Sequence, residues 1–163
     1  MSDKDNERAK NQAKLQLESI VAMVNRLEHC QECNGDEDCG LTDEGICEGL
    51  DQYYNGKPIS EEEREQYHDE DDARQQIQED PLSIEVRSDW EVAGVDLTPG
   101  EYMILLCTGG PAVRITGQLN DFKEPDSAVI EFQDWFTAWE EYPANREQKE
   151  KMIAYAKEFY FGE

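Results

Sequence analysis

Positive charge is what this chain most lacks. Fifteen Lys and Arg stand against thirty-nine Asp and Glu, a formal net charge of −24 over 163 residues. Such a surface repels nucleic acid and anionic membranes, which excludes both as direct ligands. Long apolar runs are missing too. No stretch approaches the roughly 20 residues that span a bilayer. The opening MSDKDNERAKNQAK has no apolar core of the kind a signal peptide carries. The expectation is a soluble protein of the host-cell cytoplasm. Histidine is limited to His29 and His68, and no Ser/His/Asp set can be assembled. No D-x-[DN]-x-[DN]-G-x5-E loop is present, so an EF-hand is excluded.

Cysteine is scarce but clustered. Cys30, Cys33, Cys39 and Cys47 follow the spacing C-x2-C-x5-C-x7-C, while Cys107 falls in an apolar run and reads as core. In a reducing compartment, clustered thiols point to metal before disulfides. Four thiolates at these separations can hold a tetrahedral zinc, with the C-x2-C pair as the chelating knuckle and His29 as a substitute ligand. Two disulfides or free thiols are the rival readings. Zinc is therefore the expected cofactor, held by Cys30, Cys33, Cys39 and Cys47.

The negative charge is unevenly spread. Asp and Glu outnumber Lys and Arg by 19 to 3 over residues 28–80 and by 16 to 7 over 81–163, whereas residues 1–27 carry 4 against 5. The three segments therefore carry +1, −16 and −9, which sum to −24. Eight of the twelve residues 61–72 are acidic. As one helix this stretch would be about 18 Å long, with a carboxylate every ~2.3 Å of axis. Duplex DNA carries one charge per about 1.7 Å. The densities are similar, and a groove built for phosphates would accept such a row. Glu61, Glu62, Glu65, Asp69, Glu70 and Asp72, aided by Asp36, Glu37 and Asp38, are the candidate partner-binding residues. A solvated charged helix with no dedicated target is the competing reading.

Periodicity gives the elements. Leu17, Ile20, Val21, Val24 and Leu27 recur at helical spacing and predict a helix over 5–29, with polar and basic residues on its other face. Residues 30–58 are glycine-rich and irregular. Ser60, with Glu63 three residues on, reads as a capping box opening a helix over 61–79 that Pro81 stops. Its apolar content is Tyr67, Ala73 and Ile77, which predicts weak packing and a mostly solvated helix. From residue 82 the period changes to two. LSIEVRSDW, YMILLC, AVRITGQL and SAVIEFQDW read as four strands joined by short loops. Ile84, Val86, Ile104, Leu106, Val113, Ile115, Val129 and Phe132 are the expected buried positions. Residues 145–160 read as a closing helix with Met152, Ile153, Ala156 and Phe159 on one face. The tryptophans Trp135 and Trp139 are expected to pack against the sheet.

The expected architecture is α+β: a four-stranded antiparallel sheet with N- and C-terminal helices and an acidic, Cys-containing helical insertion. The segments are 1–29 (helix), 30–80 (insertion) and 81–163 (sheet and closing helix), within one domain. Thr108-Gly109-Gly110-Pro111 matches no phosphate-binding pattern and reads as a tight turn. Glu131 and Asp134 near that turn are the one carboxylate pair an enzyme could use. Two carboxylates without a pocket establish no mechanism, so a non-enzymatic protein is expected.

The stretches EYMILLCTGGPAVRITGQL and SAVIEFQDWFTAWEEY resemble a group of small proteins carried by phages and mobile elements of proteobacteria. The similarity extends over IQEDPLSIEVRSDW and part of the first helix, and leaves the cysteine-rich acidic insertion outside. It implies a mobile-element origin. Taken with the charge, the chain looks like an acidic counter-defence protein, an anti-CRISPR or anti-restriction inhibitor that mimics DNA. Its expected partner is the basic nucleic-acid groove of a host nuclease or Cas complex. The alternative is a zinc-containing acidic interaction protein without mimicry. No inhibitor's contact residues carry over by motif.

Overall fold

The computed structural model describes residues 3–33, 67–135 and 137–162. Helix α1 runs Asp3–Cys33, α2 Glu70–Glu79 and α3 Arg146–Ala156. Strands β1 (Ser83–Ser88), β2 (Pro99–Cys107), β3 (Ala112–Gln118), β4 (Val129–Gln133) and β5 (Glu140–Glu141) pair in sequence order as an antiparallel sheet. The chain is α+β. The fifth strand, absent from the sequence reading, is a two-residue segment with no alternation to betray it.

One register row explains the core. Ile84, Ile104, Ile115 and Ile130 lie side by side on β1 to β4, so their side chains share a face. Helix α1 crosses β3 and β4 on that face, and α2 and α3 pack against α1. Ile104, Ile115 and Ile130 are fully buried beneath Leu17, Ile20, Met23, Val24 and Leu27. Of the eight positions expected inside, Ile104, Leu106, Val113, Ile115 and Phe132 are buried. Ile84 at 37% and Val86 at 45% are exposed instead. They point the right way, but β1 is the sheet edge and α1 lies over β3 and β4. Val129 is half-buried because it sits on the outer face, and its neighbour Ile130 takes the core position.

Three helical expectations change. Helix α1 continues through the first cysteine pair to Cys33, where an irregular loop was expected. The chain is not one helix over 61–79, since Asp69 is extended (φ −82°, ψ 112°) and caps α2 through its own side chain. Helix α2 is also not weakly packed: Tyr67, Ala73 and Ile77 are all buried, and α2 joins the core on α1. Ala73 and Ile77 are four residues apart and so share one face of the helix. The closing helix is shorter than expected and ends at Ala156. It starts at a capping box in which Asn145 and Gln148 bond each other's backbone.

Glycine is required at two positions. A Cβ on Gly117 would stand 2.0 Å from the Ser127 carbonyl oxygen and 2.7 Å from the Tyr102 hydroxyl. That hydroxyl donates to the same carbonyl at 2.7 Å, tying β2 to the segment before β4. A Cβ on Gly110 would stand 1.8 Å from Nε1 of Trp135. Of the two tryptophans expected to pack against the sheet, Trp139 does so and Trp135 does not. Trp90 is fully exposed at 103%, and Trp135 is exposed over the Gly109-Gly110 turn. Trp139 lies on the outer sheet face, with the Arg114 guanidinium 4.1 Å from its ring centroid.

Candidate functional site

The acidic segment leaves and re-enters the fold at one place. Helix α1 carries its entry, and Tyr67 with α2 its exit. Cys30 and Tyr67 are in contact, the Cys30 thiol donating to the Tyr67 carbonyl at 3.0 Å. Arg26 is the hub. It is 4% exposed, and among the described residues its guanidinium reaches at least three acceptors. Nε donates to the Tyr67 carbonyl at 3.1 Å, Nη1 to Gln76 Oε1 at 2.8 Å, and Nη2 to Asp72 Oδ2 at 2.7 Å. It also lies 5.6 Å from the Tyr67 ring centroid. A buried guanidinium needs all of these, because an uncompensated charge in the core costs several kcal/mol, ~3–5 by partner deletion.

Beside the hub, three rings meet. His29 and His68 have centroids 5.3 Å apart, and Tyr67 stands 5.9 Å from His29 and 5.2 Å from His68. His29 comes from the last turns of α1 and His68 from the turn that precedes α2. Burial holds the His29 imidazole below its ordinary titration range. His68 adds to this, and Glu32 opposes it.

The candidate carboxylates divide. Asp69 caps α2, its Oδ1 accepting from the Asp72 N–H at 3.1 Å. Asp72 pairs with Arg26, and Glu70 Oε1 pairs with Arg74 at 2.8 Å. Arg74 also holds Glu158 beyond α3, at 2.9 Å. Both carboxylates raise its pKa, with Glu70 the larger cause. These three acidic residues therefore have partners inside the fold. Asp71, 99% exposed at its side chain, faces solvent and meets Arg74 only at 3.9 Å. Glu61, Glu62, Glu65, Asp36, Glu37 and Asp38 lie outside the described residues, as do Cys39 and Cys47. Position 33 is placed as helix and Cys30 is in the core. Among the described residues no group of three His, Cys, Asp or Glu gathers as a metal site.

The opposite face of the sheet is open. It forms a shallow groove of about 490 Å³, lined among others by Met103, Arg114, Thr116, Val129 and Glu131. Its charges are engaged across the strands. Arg114 pairs with Glu131 at 2.8 Å, Arg87 pairs with Glu101, and Gln118 donates to Glu101 at 2.8 Å. The Arg87 bond, followed by the Gln118 bond, holds the Glu101 carboxyl below its ordinary range. The suggested pair of Glu131 and Asp134 does not converge on a pocket. Glu131 serves Arg114, and Asp134 Oδ1 accepts the Trp135 N–H at 2.7 Å.

Comparison with protein-family models, with curated proteins and with solved structures finds no match. Among the described residues, no helix is long and apolar enough to cross a membrane.

Sequence reasoning missed Arg26. It was grouped with the basic outer face of the helix, yet it stands three residues from Met23 and four from Cys30, both buried. Helical spacing carried the signal, and the residue type hid it. The Asp69 cap was legible as Asp69-Glu70-Asp71-Asp72, an acidic first turn behind a capping residue. The Ser60 cap lies outside the described residues.

Proposed function

We propose that this protein is a non-catalytic counter-defence inhibitor that mimics DNA and occupies the basic nucleic-acid groove of a host nuclease or Cas complex in the host cytoplasm. The observation that carries the reading is the −16 held within residues 28–80, between segments of +1 and −9. Self-repulsion of that size opposes folding, so it is costly unless a cationic partner relieves it. The fold supports the reading in a second way. Cys30 and Tyr67 meet at the hub, so the chain between them starts and ends at one fixed point of an otherwise ordinary α+β scaffold. The mimic surface belongs to Glu61, Glu62 and Glu65 with Asp36, Glu37 and Asp38, and to Asp71 on the described side. Asp69, Glu70 and Asp72 hold the base of the segment.

Affinity chromatography from bacterial lysate tests this. The immobilised protein is expected to retain a DNA-binding protein that duplex DNA displaces and that elutes steeply with salt, as counterion-linked contacts do. Retention of a partner indifferent to both DNA and salt would instead support the second reading, an acidic zinc-containing interaction protein without mimicry.

A further inference from the structure

We propose that the free edge of β1 is a self-association surface, on which a second copy of this chain adds its own β1 in antiparallel register about Val86. The inference goes beyond the mimic reading and does not depend on it. The two edges of the sheet are built differently. β5 closes one edge with two exposed glutamates, Glu140 and Glu141. A very short, charged edge strand resists pairing. β1 closes the other edge with six residues, contains neither Pro nor Lys, and has one Glu and one Arg that cancel. Among the described residues no strand pairs with its outer side, so alternate backbone N–H and C=O groups there are open to a new strand. The register irregularity of β1 lies at its last step, between Arg87 and Ser88, and leaves the strand regular before it. Apolar exposure gathers on this strand and the loop after it. Seven of the eleven large apolar side chains exposed among the described residues fall within residues 82–97. Exposure concentrated in this way marks an interaction surface.

Charge selects the occupant, because β1 is complementary to itself in one register. A two-fold axis perpendicular to the sheet keeps the helices of both copies on one side and passes beside one residue of the strand. Centred on Glu85, it sets Glu85 against its own copy. Centred on Arg87, it sets Arg87 against its own copy. Like charges directly opposite are destabilising. Centred on Val86, it sets Val86 against Val86, Glu85 against Arg87, Arg87 against Glu85, and Ile84 against Ser88. Arg87 is 78% exposed at its side chain while it pairs with Glu101 on β2, so it can hold Glu101 on one side and Glu85 of the second copy on the other. The same register carries the exposed Trp90, just past β1, toward the exposed Leu82 that precedes β1 of the second copy. The product is one continuous sheet with five strands from each copy. Two short strands make a small contact, so the dissociation constant is of the order of tens of μM. Dilution well below it returns the single chain, in which Ile84 and Val86 are exposed.

Sedimentation equilibrium of the full chain tests this, under reducing conditions and at about 0.15 M ionic strength, where charge repulsion is screened beyond ~8 Å. The wild type is expected to pass from monomer to dimer as its concentration rises from about 1 to about 500 μM. Glu85→Arg and Arg87→Glu, each checked for native circular dichroism, are each expected to weaken the dimer at least about tenfold, because each makes both cross-strand pairs repulsive. One change lowers the net negative charge and the other raises it, so bulk repulsion alone would move the two in opposite directions. An equimolar mixture of the variants is expected to restore association as a heterodimer, since the altered strands are then opposite in charge at both pairs. Hydrogen exchange on the wild type needs no variant. The β1 amides are expected to gain protection with concentration, and those of β5 are not. A monomer at every concentration, whatever else meets the edge, would overturn the proposal. So would a dimer that both variants leave intact, a mixture that associates no better than its components, or a dimer without added protection in β1.

Discussion

At the residue scale, one buried cation organises the junction. Arg26 ties the end of α1 to Tyr67, Asp72 and Gln76. Asp71 and Asp72 are adjacent in the first turn of α2 and gain similarly from the helix dipole, yet only Asp72 meets the Arg26 guanidinium. Asp72→Ala should therefore destabilise the fold by about 2 kcal/mol, within the range of charge-assisted hydrogen bonds and lowered by the partial exposure of Asp72. Asp71→Ala should cost under about 0.5 kcal/mol, as exposed substitutions do. Urea unfolding of the two variants measures the difference, and equal costs would remove the hub from the account. This pair also shows why the site was only partly legible. A run of eight acidic residues in twelve looks uniform by composition. Which carboxylates face inward depends on where a single arginine, 41 positions before Tyr67, is buried.

At the element scale, the sheet was legible because alternation reports its two faces directly. The four longer strands and their order follow from period and turn signals. What alternation could not give was coverage. Ile84 and Ile104 are register partners on the same face, and only Ile104 lies under the helices. Ile104→Ala should cost about 2–5 kcal/mol, the range for truncating a buried aliphatic side chain. Ile84→Ala should cost under about 1 kcal/mol, because little burial is lost. Denaturation midpoints decide this, and a large cost at Ile84 would mean that something covers the β1 edge. Helix α2 was misjudged for a related reason. Three apolar residues seemed too few to dock a helix, but Ala73 and Ile77 fall on one face and α1 is there to meet them.

At the scale of the whole molecule, two buried phenols couple stability to alkaline pH. Burial raises Tyr102 well above the usual phenol range. Burial, together with its hydrogen bond to Asp80 at 2.6 Å, does the same for Tyr155. A folded-state pKa raised above the unfolded value gives stability that is full below pH ~10 and lost as pH rises beyond it. Each phenol should contribute a fall of about 1.4 kcal/mol per pH unit above that point. Denaturant unfolding between pH 9 and 11.5 should show the decline, and Tyr155→Phe should reduce its slope. The charge of the molecule carries the functional claim, and Glu61, Glu62, Glu63 and Glu65 are the residues on which to test it. Changing all four to Gln removes four charges while leaving the Asp69 cap and the Arg26–Asp72 pair untouched. The decisive measurement is the affinity of wild type and this variant for the DNA-displaceable partner across a salt series. The account predicts that the variant binds at least about tenfold more weakly at low salt, with a shallower dependence on salt because fewer counterions are released. Equal affinity and equal salt dependence would contradict DNA mimicry by the acidic segment.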